Sequence, residues 1–356
     1  MKLLDFRPRF LRPTLPLDMF DSATLRPREE AARARRLEGL YHVGQEKAWD
    51  GRKVLTALVE KHGPIKVDDA KRRALAHVFS IIMWGELAAW KVSAQLAEQI
   101  VPLEAKMAAT SQAHDEARHF YVMHDYLELL HLEPPPLEYW SRAVVEMAID
   151  TPDLAQKLAG MHLQVETIAL TIFHRVRELE IEPVLSELLL YYEKDEARHV
   201  GLGVQFLPGL MAKMNRVDFA RFTAFQLKML LYSLAGLKKL EPHLAVLGID
   251  ARDLILFGSQ KQLSFLNELA REAGHAPMQA WAGTVFDVGI ETLFPGRPEA
   301  LEWSVRGAYE RLKGAFDVCT GRIEGLSAPV RARVYEGVER IKEEKLRAKD
   351  RLPLAS

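Results

Sequence analysis

Apolar positions recur along this chain at the three- and four-residue intervals of an amphipathic helix, and no run of alternating β-branched residues predicts a strand. The reading is therefore all-α. Residues 1–27 carry Pro8, Pro13, Pro16 and Pro27 and read as an extended arm. Helical spacing begins near Arg28 and runs to about His62, with an interruption at Trp49-Asp50-Gly51, and Gly63-Pro64 ends it. A long helix is predicted from about Val67 to Gln99; the next opens at Pro102 and lasts to about Leu132. Pro134-Pro135-Pro136 breaks the chain before a helix of about 14 residues. Thr151 and Pro152 read as the N-cap and first residue of the following helix, which reaches about Glu180. Pro183 opens another, expected to stop at Pro208-Gly209. Residues 216–349 read as four or five more helices, with breaks at Gly248, at Gly274 to Pro277, at Pro295-Gly296 with Pro298, and at Pro329. The last stretch, Val334 to Lys349, is charge-rich. The pattern divides the chain into an N-terminal arm and helix (1–64), a central bundle (65–210) and a C-terminal helical extension (211–356) packed on the bundle as one large domain.

Composition removes several function classes. The 356 residues hold 48 Lys+Arg against 49 Asp+Glu, without the basic excess of a nucleic-acid binder. Cys319 is the one cysteine, so no intrachain disulfide, cysteine-based zinc site or iron–sulfur cluster can form. The N-terminus lacks the continuous apolar run of a signal peptide. The richest apolar stretch, Phe222 to Leu237, contains Gln226 and Lys228, so no transmembrane helix is expected. A cytoplasmic protein with neither membrane nor nucleic acid as partner is the expectation.

The chemistry lies in a repeat. Asp-Glu-Ala-Arg-His occurs at Asp115–His119 and again at Asp195–His199, a coincidence of roughly 2% in a chain of this length. Each copy has a glutamate 30 residues upstream, Glu86 before Glu116 and Glu166 before Glu196. Glu-x-x-His alone is weak, because Glu128/His131 and Glu272/His275 share it and Glu98 lies 30 residues before Glu128. Geometry separates them. In an antiparallel helix pair, facing residues are equidistant from the turn. The midpoints of the two repeat pairs, 101 and 181, fall beside Pro102 and Pro183, whereas the midpoint of Glu98 and Glu128 falls inside a helix. Each arm is about 15 residues, or roughly 22 Å, which places the acids mid-bundle. Residues i and i+3 share a helix face. Two such hairpins therefore supply four carboxylates and two imidazoles, the donor set of a dinuclear four-helix bundle. Four carboxylates and two divalent ions cancel in charge, while four clustered acids without metal would have to take up protons. Oxygen and nitrogen donors suit iron and manganese. The apolar neighbours of Glu86 and Glu166 oppose the alternative, solvated helix faces.

Over about 70–205 the sequence resembles the ferritin-like di-iron carboxylate superfamily, with the doubled motif most similar to soluble di-iron oxygenases such as multicomponent monooxygenases and acyl-carrier-protein desaturases. The resemblance implies a ferritin-like four-helix bundle with N- and C-terminal helical extensions. It implies Glu86, Glu116, His119, Glu166, Glu196 and His199 as ligands of two iron ions, with a manganese/iron pair as the alternative. Asp115, Arg118, Asp195 and Arg198 would surround them, each Asp orienting a ligand His across the bundle, in line with the need of a metal-bound imidazole for an acceptor on its other nitrogen. Surface ion pairing is the plainer reading of those four. The chain departs from several subfamilies. Glu86 and Met123 stand where the radical-storing reductase subunit has Asp and its radical Tyr. Leu170 replaces the monooxygenase Thr, with Thr167 and Thr171 nearby, which opposes proton delivery by that Thr; Thr167 and Tyr192 are the candidate catalytic residues. Tyr192 stands where arylamine N-oxygenases add a third His. Ala89 and Met161 occupy the cross-link positions of the ligand-binding oxidases similar to the reductase subunit.

Ile82, Trp90, Gln112, Phe120, His162, Leu170, Phe173, Tyr192 and Val200 lie one turn from the candidate ligands and are expected along an apolar pocket, or simply in the core. Tyr192 would either serve a ligand or the electron path, or be satisfied by a backbone carbonyl. The function implied is a non-haem di-iron, O2-activating oxygenase or oxidase. It would hydroxylate, N-oxygenate or desaturate a small, largely apolar organic substrate with electrons from a ferredoxin or reductase, and the C-terminal helices would cap the pocket or build a homodimer. The alternative is a ferroxidase or other iron-handling protein. The length opposes it, since the bundle needs only about 140 residues.

Overall fold

A computed structural model of the chain describes residues 31–259, 280–302 and 304–322, and no strand occurs among them. The arm 1–27, the breaks at Gly274 to Pro277 and at Pro329, the pair Glu272/His275 and the stretch Val334 to Lys349 lie outside the described residues. Helix α1 (Ala31–Glu46) is followed by α2 (Gly51–His62), α3 (Asp69–Gln99), α4 (Leu103–Leu129) and α5 (Tyr139–Asp150). A short α6 (Leu154–Leu158) runs through a π-helical segment, Ala159–Val165, directly into α7 (Glu166–Glu178). Then come α8 (Pro183–Met211), α9 (Arg216–Val246), α10 (251–259), α11 (Ala280–Leu293) and α12 (Val305–Cys319).

The bundle consists of two hairpins. α3 turns back into α4, α7 turns back into α8, and α4 packs on α8. Local chemistry sets their ends. Asp68 caps α3 by accepting from the Lys71 N–H, and Glu182 caps α8 by accepting from Val184 and Leu185 N–H. Pro102 sits at the cap position of α4. α1 and α2 lie on α4 and α8, α9 lies on α3 and α5, α11 lies on α9, and α12 packs on α11.

Two apolar cores occupy opposite ends of the bundle. One gathers Phe79 and Met83 of α3, Met123 and Tyr126 of α4, Phe173 of α7 and Leu188 of α8. The other gathers Val92 and Leu96 of α3, Ala105 and Ala109 of α4, Leu158 and Met161 before α7, and Leu202 and Phe206 of α8. Between them lies a layer of buried acids and histidines. No helix among the described residues is long and apolar enough to cross a membrane.

Two local expectations are corrected, and a third feature is new. Thr151 is the C-cap of α5, its N–H reaching the Met147 carbonyl, and Asp153 caps α6 instead. A carboxylate is the stronger partner for a helix N-terminus, which favours Asp153. Pro208 does not end α8, which continues to Met211. The backbone bond lost at the proline is offset by burial of Leu207, Pro208 and Met211. The helix before Glu178 is not uniformly α, because the Glu166 N–H bonds to the Met161 carbonyl five residues back.

Candidate metal centre

Glu86 of α3, Glu116 and His119 of α4, Glu166 at the start of α7, and Glu196 and His199 of α8 converge in the polar layer, none more than 4% exposed. They form two groups of four, Glu86/Glu116/His119/Glu196 and Glu116/Glu166/Glu196/His199, each with one donor atom per residue within 4.8 Å of the others. Glu116 and Glu196 belong to both groups. The first imidazole places Nδ1 of His119 3.5 Å from Glu86, 3.5 Å from Glu116 and 3.1 Å from Glu196. The second places Nδ1 of His199 3.1 Å from Glu116, 3.5 Å from Glu166 and 3.0 Å from Glu196.

The other ring nitrogens point outward and cross over. His119 Nε2 donates to Asp195 at 3.1 Å, and His199 Nε2 donates to Asp115 at 3.4 Å, so each aspartate serves the histidine of the opposite repeat. The guanidinium groups close the frame. Arg118 donates to Asp115 (2.6 Å) and Asp195 (2.8 Å), and Arg198 donates to Asp195 (2.6 Å) and Asp115 (3.0 Å). These four side chains are largely withdrawn from solvent, unlike surface ion pairs. The frame engages Nε2–H of each ring, so Nδ1, facing the carboxylates, is the nitrogen that a cation would take in place of a proton.

The electrostatics are those of a site that holds cations. Burial pushes the Glu86 and Glu166 carboxyls well above the usual range, and the charge of Glu196 pushes the same way. Burial also opposes ionisation of Glu116 and Glu196, but the histidine charges and hydrogen bonds outweigh it and hold both below the usual range. Burial disfavours charged His119 and His199, yet the surrounding carboxylates raise both well above 6.5. Glu116 Oε2, Glu166 Oε2 and His119 Nδ1 are buried with no hydrogen-bond partner. Buried polar atoms need partners, and these all face the centre of the cluster. Four carboxylates, two imidazoles and these inward-facing orphans fit two divalent ions, with oxygen and nitrogen donors suited to iron or manganese.

A cavity of about 110 Å³ reaches the cluster. Glu86, Glu166 and Glu196 form its polar end. Its apolar walls come from α3 (Ile82, Ala89), α5 (Val144), α7 (Ile168, Ile172) and α9 (Leu237, Leu240). Of the residues expected along a pocket, Ile82 lines it. Trp90 does not, because it stands on the outer face of α3, 41% exposed. Phe120, Leu170, Phe173 and Val200 are not among the cavity walls; Phe120 and Phe173 pack in the core near Tyr192. Thr167 borders a second cavity behind Ile168. The Tyr192 hydroxyl donates to the His119 carbonyl at 2.6 Å and its ring stacks on the His119 imidazole, so it serves the backbone and not a carboxylate. Gln112 and His162 bond to each other at 2.8 Å beside Glu166.

Trp49 was not singled out by the sequence pattern. Its indole N–H donates to Asp195 at 2.8 Å, joining a half-buried aromatic ring to the His119 frame, with Arg118 over its face. The break between α1 and α2 places it there: Asp50 caps α2, and Gly51 fits against Val122, where a Cβ would come within 2.1 Å. A third group, His124/Asp125/Glu128, is half-buried to exposed and does not include His131 of the weaker Glu-x-x-His copy.

No family model and no curated protein sequence matches the chain. Solved structures do. A Synechococcus protein with aldehyde deformylating oxidase activity is 17% identical over 62% of this chain and 96% of its own, with a TM-score of 0.49. Two R2-like ligand-binding oxidase variants with aerobically reconstituted Mn/Fe cofactor are 14% and 15% identical. They cover 73% and 71% of this chain and 93% and 92% of theirs, with TM-scores of 0.44 and 0.41.

Proposed function

We propose that the protein is an oxidoreductase in which Glu86, Glu116, His119, Glu166, Glu196 and His199 hold two iron ions that activate O2 toward a small, largely apolar organic substrate. One observation carries the reading. Three of the six donor residues line a predominantly apolar cavity, so a substrate seated there meets the metal side of the carboxylates. A site that only collected and released iron would favour a polar path for ions. A bound iron pair supplies the electron-transfer and O2-reducing chemistry that these side chains lack.

The chain's own residues then have separable tasks. Asp115 and Asp195 fix the imidazole tautomers. The arginine pair balances the aspartate charge. Apolar side chains of α3, α5, α7 and α9 exclude water and position the substrate. Glu86 and Glu166, whose carboxyls burial and the charge of Glu196 push above the usual carboxylate range, are the groups best placed to exchange protons. Electrons come from an external ferredoxin or reductase. Hydroxylation, N-oxygenation and desaturation are the reactions this arrangement suits.

The test is a single turnover. Iron(II)-loaded protein is mixed with O2 and a panel of apolar amines, aldehydes and alkyl compounds, and the products are identified by mass spectrometry. One oxidised organic product per dinuclear centre supports the reading. O2 consumption that yields only ferric mineral, with every compound recovered unchanged, replaces it with iron handling.

A further inference from the structure

The two halves of the repeat are not chemically equivalent around the metal positions. Four residues before the second copy's acids stand His162 and Tyr192; four residues before the first copy's stand Ile82 and Gln112. The asymmetry places an amide and an imidazole on one side only. Gln112 Nε2 donates to Glu166 Oε1 at 2.8 Å and to Glu116 Oε1 at 2.9 Å. Its Oε1 accepts from His162 Nε2 at 2.8 Å. An amide has one oxygen and one NH2, so the His162 donor determines which end faces the carboxylates.

His162 is itself held. It lies in the π-helical segment and is fully buried, and Gly203 of α8 approaches so closely that a Cβ there would sit 2.8 Å from the His162 Cβ. Glu166 thus has one oxygen fixed by Gln112 and the other, Oε2, turned 3.5 Å from His199 Nδ1. Among the described residues, no side-chain amide donates to Glu86. Its partner in the cluster is His119 at 3.5 Å, and Ile82, the counterpart of His162, is a wall of the cavity onto which Glu86 opens. Tyr192, the counterpart of Gln112, spends its hydroxyl on the His119 carbonyl.

We propose that Gln112, oriented by His162, is a positioning residue that pins Glu166 as a one-oxygen ligand. It thereby makes the Glu166/His199 position the tighter, first-filled metal position and leaves the Glu86/His119 position as the labile one at the substrate cavity. A ligand already held in its binding geometry loses less freedom when the ion arrives. Glu86 keeps that freedom, and with it the ability to change its mode of coordination beside the substrate. The inference rests on the dinuclear reading above.

The test uses the full chain, freed of metal by chelation, and manganese(II) alone as the probe. Calorimetric titration of the wild type should show two resolved steps. Crystals loaded with less than one equivalent should give an anomalous peak between Glu166 and His199. Gln112→Leu and His162→Phe should each weaken the first step by about 10- to 100-fold, the usual scale for outer partners of metal ligands, and leave the second within a few-fold. His162→Gln keeps a donor toward the Gln112 oxygen and should recover part of the loss. Circular dichroism and thermal melting of each metal-free variant separate a folding defect from a lost ligand brace; where Gln112→Leu fails to fold, Gln112→Met gives the same reading. A first peak at Glu86/His119, or equal weakening of both steps, overturns the proposal while leaving the dinuclear site intact. Absence of any manganese binding overturns the dinuclear reading and this inference together.

Discussion

Glu116 and Glu196 each divide their two carboxylate oxygens between both imidazoles. Glu116 turns Oε2 to His119 (3.5 Å) and Oε1 to His199 (3.1 Å), while Glu196 turns Oε1 to His119 (3.1 Å) and Oε2 to His199 (3.0 Å). Glu86 and Glu166 each address one. Loss of a shared carboxylate should therefore empty both positions. Glu116→Ala and Glu196→Ala are expected to bind close to no metal, and Glu86→Ala and Glu166→Ala to retain about one ion per chain. Elemental analysis of the purified variants, with circular dichroism to confirm helicity, checks this. One full ion retained by Glu116→Ala would contradict the sharing.

Asp195 accepts from four groups, His119, Trp49, Arg118 and Arg198. Asparagine preserves its shape but sets an NH2 against one of these donors and removes the charge that balances the arginines. Asp195→Asn is expected to lower metal affinity at the His119 position by about 10- to 100-fold, with a smaller effect at His199. Site-resolved metal titration reads the difference, and equal loss at both positions would show that the aspartate acts on the fold as a whole.

Proton linkage gives a prediction of definite sign. In metal-free protein, Glu86 and Glu166 are raised above the carboxylate range by burial and by Glu196, and His119 and His199 are raised by their carboxylate neighbours despite burial. All four bind protons more tightly folded than unfolded. Their stabilisation is present at low pH and is lost as pH rises through the folded values. Two divalent ions replace these protons. The metal-free form should therefore lose melting temperature, on the order of 5–10 °C, between pH 6 and 9, and the metal-loaded form should not. Metal binding should also release protons, measurable by calorimetry in buffers of different ionisation enthalpy. Stability of the metal-free form that rises across this range would reverse the assignment.

The contrast between what the repeat discloses and what it hides has a physical basis. The convergence of the six acids and imidazoles follows from local quantities, helix rise and the distance of each residue from Pro102 or Pro183, which a linear pattern records. The crossing of His119 to Asp195 and of His199 to Asp115 is implied by the resemblance and not by the spacing. The cavity does not follow, because its far walls come from α5 and α9, where Val144, Leu237 and Leu240 have the same apolar spacing as any core residue. Trp90 shows the converse: one turn from Glu86 along the chain, it points outward, because an apolar helix face does not state which neighbour covers it. The π-helical segment before Glu166 and the continuation of α8 through Pro208 are decided by packing that outweighs local propensity.

Gly85 offers a way to separate substrate binding from metal binding. It precedes Glu86, lines the cavity, and a Cβ built on it would meet nothing within 4 Å. A larger side chain there extends into the space proposed for the substrate and leaves all six donor residues in place. Gly85→Leu carries little folding penalty from overpacking, and leucine is the better helix former by about 1 kcal/mol. The variant is expected to bind two ions with wild-type affinity and to consume O2 when reduced. Turnover of the substrate preferred by the wild type should fall by at least about tenfold, the effect of roughly 1.4 kcal/mol at the transition state, with smaller compounds affected least. Because metal content and organic product are measured on the same sample, a site defect appears as lost metal and a filled cavity as lost product alone. Unchanged product formation by Gly85→Leu across substrates of every size would move the substrate away from this cavity.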